Sequence, residues 1–275
     1  MRITNRMHIV MVAVLAVAVF AVSVGAGDDI MFGYKFEEGY SAKYKLKFSQ
    51  EIDFGGFTMS VLADFEVEEK CTGVADGVYS MEATFIKVEA SQVMFDNMQE
   101  HPMSEQLAGQ TVTYKLDSHG DVSEIKAAGY VDGWAAMKDI VERVIESSYV
   151  YLPDEAIAAG SEWQQEAEKE TTEEGMEVVT SSKFEFKEMK QQKGRDCAKI
   201  KGKVENTITG DMPTPQGVME ADGSGTGEYE CYFDPGTTTI VKLKGRMDVR
   251  MDMVPVSGGD TIETTVTYQV EKELL

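Results

Sequence analysis

The sequence predicts a mainly β (β-rich α+β) fold: antiparallel meander sheets in two duplicated halves, with one amphipathic helix covering a sheet. Three observations carry this reading. Apolar and polar residues alternate over long runs, tight-turn residues separate those runs, and one segment instead repeats its apolar residues at helical spacing. Composition agrees. The 275 residues are 43% hydrophobic and 27% charged, with 6 Pro and 25 Gly, so the chain is globular in type and long enough to bury a core.

The first 26 residues precede the fold and read as a secretory signal peptide. Arg2 and Arg6 form a positive start, Ile9–Val24 is apolar but short for a membrane span, and Val24-Gly25-Ala26 supplies small residues for cleavage. The alternative is an uncleaved N-terminal anchor. No second segment approaches membrane length, so the mature chain is expected to be soluble and exported, periplasmic or extracellular. Losing the two Arg takes the formal charge from −22 to −24. That acidity excludes a phosphate-backbone binder, and no nucleic acid partner is expected.

Strands follow from period-two alternation. Tyr40, Ala42, Tyr44, Leu46 and Phe48 share one parity against Lys43, Lys45 and Lys47. Phe57 to Val67 repeats the pattern through Met59, Val61, Ala63 and Phe65, and Tyr79, Met81, Ala83 and Phe85 do so again. Near the C-terminus come Val241, Leu243, Met247, Val249, Met251 and Met253, then Ile262, Val266, Tyr268 and Val270. One apolar and one wet face per strand indicate antiparallel sheet. Turns are expected at Asp53–Gly56, Ala75–Gly77, Ser118–Gly120, Asp234–Gly236 and Ser257–Asp260. Trp134, Met137, Val141, Val144 and Ser148 change the period to three and four, which predicts a helix near 132–148 with Asp132 as N-cap. A shorter helix is expected over Pro102–Leu107.

An offset of 119 residues superposes the apolar parity of the two halves. Tyr44 falls on Trp163, Phe65 on Phe184, Val67 on Phe186 and Met81 on Ile200. The reading is therefore a leader (1–26), a first repeat ending in a helix (27–150) and a second ending in a long hairpin (151–275). Net charge divides almost equally, −13 and −11, so the acids belong to the body of the fold.

Several short motifs resemble an uncharacterised family of exported bacterial proteins with β-rich tandem halves. They are Gly39-Tyr40-Ser41-Ala42-Lys43-Tyr44-Lys45-Leu46, Gly109-Gln110-Thr111-Val112-Thr113-Tyr114 leading to Gly120, Tyr151-Leu152-Pro153, Gly160-Ser161-Glu162-Trp163, and Gly225-Thr226-Gly227 before Phe233-Asp234. The resemblance implies the architecture and brings no activity and no catalytic residues. Relatives of that kind are often lipoproteins, and the absence of a Cys near the leader junction departs from that pattern.

The chemistry-bearing residues are sparse. His101 and His119 are the histidines left after the leader, and both read as loop residues. No P-loop, dinucleotide fingerprint or His-Glu-x-x-His is present. No enzyme activity, no cofactor and no metal site are expected. Asp222-Gly223-Ser224-Gly225-Thr226-Gly227-Glu228 only loosely resembles a calcium loop and is expected to be a flexible hairpin connection. Cys71, Cys197 and Cys231 are odd in number, and strand parity places Cys197 on a polar face and Cys231 on an apolar one, which argues against their pairing. Two functions are weighed. The leading one is a structural or protein-interaction module of the cell envelope, with a filled core. The alternative is a carrier of lipid or another apolar ligand in a cavity between curved sheet and helix, lined by Tyr44, Phe48, Met59, Phe65, Met81, Phe85, Trp134 and Met137.

Overall fold

A computed structural model describes residues 29–275 except 96, 132, 172–174 and 215–216; for 135, 136, 168, 170, 213 and 214 it describes the backbone alone. The leader and the expected N-cap Asp132 lie outside the described residues. The chain forms strands β1 (Ser41–Phe54), β2 (Phe57–Ala75), β3 (Val78–Met94) and β4 (Asn97–Glu100), then helix α1 (Met103–Leu107). Strands β5 (Thr111–Leu116) and β6 (Val122–Ala127) precede helix α2 (Trp134–Glu146). The second half is wholly strand: β7 (Glu162–Thr171), β8 (Glu177–Gln192), β9 (Arg195–Thr214), β10 (Gly217–Asp234), β11 (Thr239–Pro255) and β12 (Ile262–Leu274).

The fold is mainly β, as the alternation requires, and all strands pair antiparallel in a single sheet. Its order is β6-β5-β3-β2-β1-β12-β11-β10-β9-β8-β7, with β4 beside β3. The two halves are continuous because β1 pairs with β12 over eleven positions, from Tyr44↔Leu274 to Phe54↔Thr264. Residues 27–150 and 151–275 thus supply the two sides of one sheet.

The sheet is strongly curved. Its edge strands stand ten steps apart, which would separate them by about 48 Å if flat. Instead Gln165 Nε2 of β7 donates to Asp121 Oδ1, beside the start of β6, at 3.1 Å. Trp163 Nε1 donates to Tyr151 O at 2.9 Å, so a loop fills the gap that a barrel would close with a ladder. Antiparallel connectivity sorts the turns into two ends. The β2–β3, β5–β6, β8–β9 and β10–β11 turns share one end, and the remaining hairpin tips share the other.

The first end is packed shut. Residues 29–40 cross it as a strap: Tyr34 N donates to Ser118 O at 2.9 Å, and Thr238 Oγ1 donates to Lys35 O at 2.9 Å. Phe32 meets Phe186 edge-on at 5.3 Å and Tyr34 meets Phe233 at 5.5 Å. Gly120 makes the strap possible. Its φ is +105°, and a Cβ there would stand 2.6 Å from Val150 O and 2.8 Å from the Tyr34 ring.

At the β10–β11 turn, Asp234 organises the chain. Its Oδ1 accepts from Gly236 N at 2.9 Å, and its Oδ2 accepts from Thr237 Oγ1 at 2.7 Å and Arg195 at 3.0 Å. Burial alone would raise this carboxyl, but the Thr237 hydroxyl, the Arg195 guanidinium and the turn amides hold it below the ordinary value. A folded-state pKa below the unfolded one stabilises the fold above about pH 4, and this contribution is lost as pH falls through the folded value. Asp234→Asn is expected to cost about 1–3 kcal/mol at pH 7 and markedly less near pH 3, read from urea midpoints at the two pH values.

Both expected helices are present, with bounds inside those the spacing implied, and Lys138 reaches Glu142 at 3.9 Å across one turn. Met137, Val141, Val144 and Ile145 of α2 are buried in the main core, to which both halves of the sheet contribute. One expectation is corrected. Asp222–Glu228 is no hairpin connection but the middle of β10. Gly223, Gly225 and Gly227 alternate with Asp222, Ser224, Thr226 and Glu228, the four of them exposed, so period two is kept with glycine in the apolar places. A Cβ at Gly223 would lie 2.6 Å from Arg250 O and 2.5 Å from the Met251 side chain. Glycine is needed because the neighbouring strand's backbone and side chains already fill that space.

Candidate functional site

The concave face is laid out in rows by the register. One row runs Phe48, Val270, Gly245, Tyr229, Gly202, Phe184, Trp163 across β1, β12, β11, β10, β9, β8 and β7. Large and small alternate: the Tyr229 ring occupies the place of a Gly245 side chain, and the Phe184 ring that of Gly202. The next rows are Tyr268, Met247, Gly227, Val204, Ser182 and then Val266, Val249, Gly225, Asn206, Thr180. Across β10 the wall is therefore backbone, flanked by methionine and valine.

A cavity of about 410 Å³ opens between these rows and the C-terminal end of α2. This lies within the range of small-molecule sites. Its floor is Phe48, Val178, Val204, Met247 and Val270, and its helix side is Arg143, Glu146 and Ser147. The Arg143 guanidinium lies 4.7 Å above the Tyr268 ring, which fixes its stem at the mouth. Asn206 Oδ1 is buried and has no hydrogen-bond partner among the described residues, while its amide nitrogen lies 3.9 Å from the Met247 sulfur. The arrangement is amphipathic, with an apolar floor, one unpaired acceptor in its wall and a charged mouth.

Of the eight residues expected to line a cavity, Phe48 does. Tyr44, Phe65, Met81, Phe85 and Met137 lie in the main core, each no more than 3% exposed. Met59 and Trp134 are half-buried and do not border this cavity. The core side chains fill the space under α2, and the gap lies beside its C-terminal end. Periodicity gives the apolar parity of these residues but not where along the sheet the helix leaves room.

Sequence reasoning also missed a buried ionic cluster. Lys272 Nζ donates to Glu69 Oε1 at 2.7 Å and Oε2 at 3.0 Å, with the two side chains 1% and 7% exposed. The ammonium lies 4.1 Å from the Tyr44 ring and 4.4 Å from that of Tyr149. Tyr149 Oη donates to Glu69 Oε2 at 3.1 Å and shares a 2.7 Å hydrogen bond with Tyr114 Oη. Burial, reinforced by the Glu69 charge, raises the phenols of Tyr44, Tyr114 and Tyr149 well above their ordinary value, so they stay neutral donors. Burial also lowers the Lys272 ammonium, against the opposing pull of Glu69. A signal existed: Glu69 and Lys272 both occupy the apolar parity of their strands, where a charge has to find a partner.

The other singled-out residues have local roles. His119 sits in the β5–β6 turn, its Nε2 3.0 Å from Asp154 and its Nδ1 3.2 Å from Leu152 O. His101 Nδ1 accepts from Met103 N at the start of α1, and burial lowers its pKa. All three cysteines are buried and unbridged. Cys231 lies in the main core, whereas Cys197 packs on the opposite face under Tyr232 and Val241, where burial pushes its thiol up to about 11. Cys197 is thus on the wet parity but covered. Among the described residues, no group of three or more His, Cys, Asp or Glu is placed to hold a metal ion, and no helix is long and apolar enough to cross a membrane.

No protein-family model and no curated protein matches the chain. Among solved structures, the chain is similar to one described as lipid–protein interactions in lipovitellin, with a TM-score of 0.50 and 12% identity. The match covers 88% of this chain and 25% of that one, so the chain spans about a quarter of the length of the protein it matches. The likeness is one of fold: a long, curved antiparallel sheet.

Proposed function

We propose that the protein is an exported, non-enzymatic binder of an apolar or amphipathic ligand, lipid foremost, held in the trough between the curved sheet and the end of α2. The observation that carries this is the cavity of about 410 Å³ at that place. The envelope-interaction reading expects a filled interior, which describes the main core but not the gap beside the C-terminal end of α2. An amphiphile would lay its apolar part on Phe48, Val204, Met247 and Val270, present a hydroxyl or amide to Asn206 Oδ1, and leave its polar head near Arg143. Methionine suits such a wall because its thioether adapts to ligands of different shape. The similar lipovitellin structure is one of lipid–protein interactions, and a similar sheet makes lipid the first ligand to try, an argument by analogy of fold.

Native mass spectrometry of the mature protein from its own envelope tests the reading. One co-purifying lipid near one per chain is expected, displaced by an apolar fluorophore. Absence of bound lipid together with no fluorophore binding by the stripped protein would overturn it.

A further inference from the structure

We infer that the open end of the sheet is a membrane-docking rim, which seats on a bilayer of neutral, zwitterionic headgroups. Connectivity puts the β1–β2, β3–β4, β7–β8, β9–β10 and β11–β12 tips at this one end. They expose Phe54, Phe95, Met98, Val218, Val256 and Ile262, of which Phe95 is 77%, Met98 65% and Val256 63% exposed. At the opposite end the turns are Asp76-Gly77, Asp117–Asp121, Lys193-Gly194 and Asp234–Thr238, and the large apolar residues exposed there are Val74 and Val78, Met31 of the strap and Leu275 beside Lys193. What sets the open end apart is that its hairpin tips themselves carry Phe95, Met98 and Val256, and exposed apolar side chains gathered on neighbouring tips mark an interaction site.

Phe95 adds an independent mark. It opens the two-residue link between Met94 and Asn97 with φ +51°, a place where Asn or Gly is unstrained and an aromatic ring is not. Its ring leans on Phe57 of the neighbouring hairpin at 4.5 Å, and the two project together. A strained residue kept where a local rule would choose another points to use of its side chain.

The charge around these tips selects the partner. The tip segments carry Asp53, Asp252, Asp260 and Glu263, and Arg250 there is engaged by Glu263 at 3.2 Å. An acidic rim is repelled by anionic lipid, so insertion has to rest on apolar burial alone. Separate tips sharing one end suit a planar interface. The concave rows also lead there, from the cavity through Thr264, Met251, Gly223, Ile208 and Val178 to Met253 and Ala221, which pack with Met219 as a small buried apolar cluster that a passing ligand would part. The inference deepens the carrier reading, on which it rests for why docking is useful: ligand would pass along this face between bilayer and cavity.

The test is flotation of the full mature chain with phosphatidylcholine vesicles. The wild type is expected to float, and to float less when phosphatidylglycerol is added to the vesicles. Phe95→Asn with Met98→Ser and Val256→Ser is expected to lower partitioning about tenfold or more, while Val74→Ser with Val78→Ser leaves it unchanged. Circular dichroism and fluorophore binding of the rim variant should match the wild type, which separates failure of docking from failure of the carrier reading. A wild type that stays lipid-free, or a rim variant that floats as well, overturns the inference. So does a wild type that self-associates through this rim and a variant that is monomeric.

Discussion

Lys272→Met is expected to remove about 3–5 kcal/mol of folding stability, because it leaves the Glu69 carboxylate buried with Tyr149 as its one remaining described donor. The pair spans the seam between the halves: Glu69 belongs to β2, Lys272 to β12, and β1 runs between them. Tyr149, just after α2, ties the helix end to the same carboxylate. Glu69→Gln is expected to lose a comparable amount by stranding the ammonium between the Tyr44 and Tyr149 rings. Replacing both, Glu69→Leu with Lys272→Met, should recover most of the loss, since neither charge then has to be desolvated. Urea titrations of the two single variants and the double give the coupling directly. A single-variant loss below about 1 kcal/mol would mean that the site is hydrated and the pair contributes as an exposed one does.

Thr180→Trp is expected to weaken ligand binding about a hundredfold while leaving the fold intact. Thr180 stands in β8 opposite Asn206 and borders the cavity, where an indole would occupy the ligand's space. An aromatic residue is well tolerated in a strand, so the sheet should form as before. Displacing roughly 3 kcal/mol of apolar contact corresponds to two orders of magnitude in affinity. Thr180→Val, which keeps the shape, should bind as the wild type does. Titration of stripped protein with an apolar fluorophore reads both. Equal affinity in the Trp variant would move the ligand elsewhere.

Strands were legible wherever one face is dry and the other wet. β1, β2, β3, β11 and β12 follow the alternation that Tyr44, Leu46 and Phe48 or Val266, Tyr268 and Val270 display. β10 was misread because glycine satisfies the apolar parity without appearing apolar. A run of Gly223, Gly225 and Gly227 looks like a loop until the neighbouring Met251 and Val249 are seen to fill the vacated space. Of the residues that alternation and helical spacing put on the apolar face, Phe48 borders the cavity and five others are packed into the core, because a parity says which face a side chain takes and not whether a neighbour fills the space above it. Cys197 shows the same limit: parity placed it on the outer face, and only packing by Tyr232 and Val241 covers it.

The sequence by itself determined the fold class, the antiparallel pairing and the two helices. These follow from local periodicity, which the residues carry wherever the chain goes. Tertiary structure decided that the halves join as one sheet through β1 and β12, that Glu69 finds Lys272 across 203 residues, and which end of the sheet is shut. It also decided that the cavity opens beside β8 to β12. Those outcomes depend on curvature and on where α2 comes to rest, both set by long-range packing that alternation leaves open.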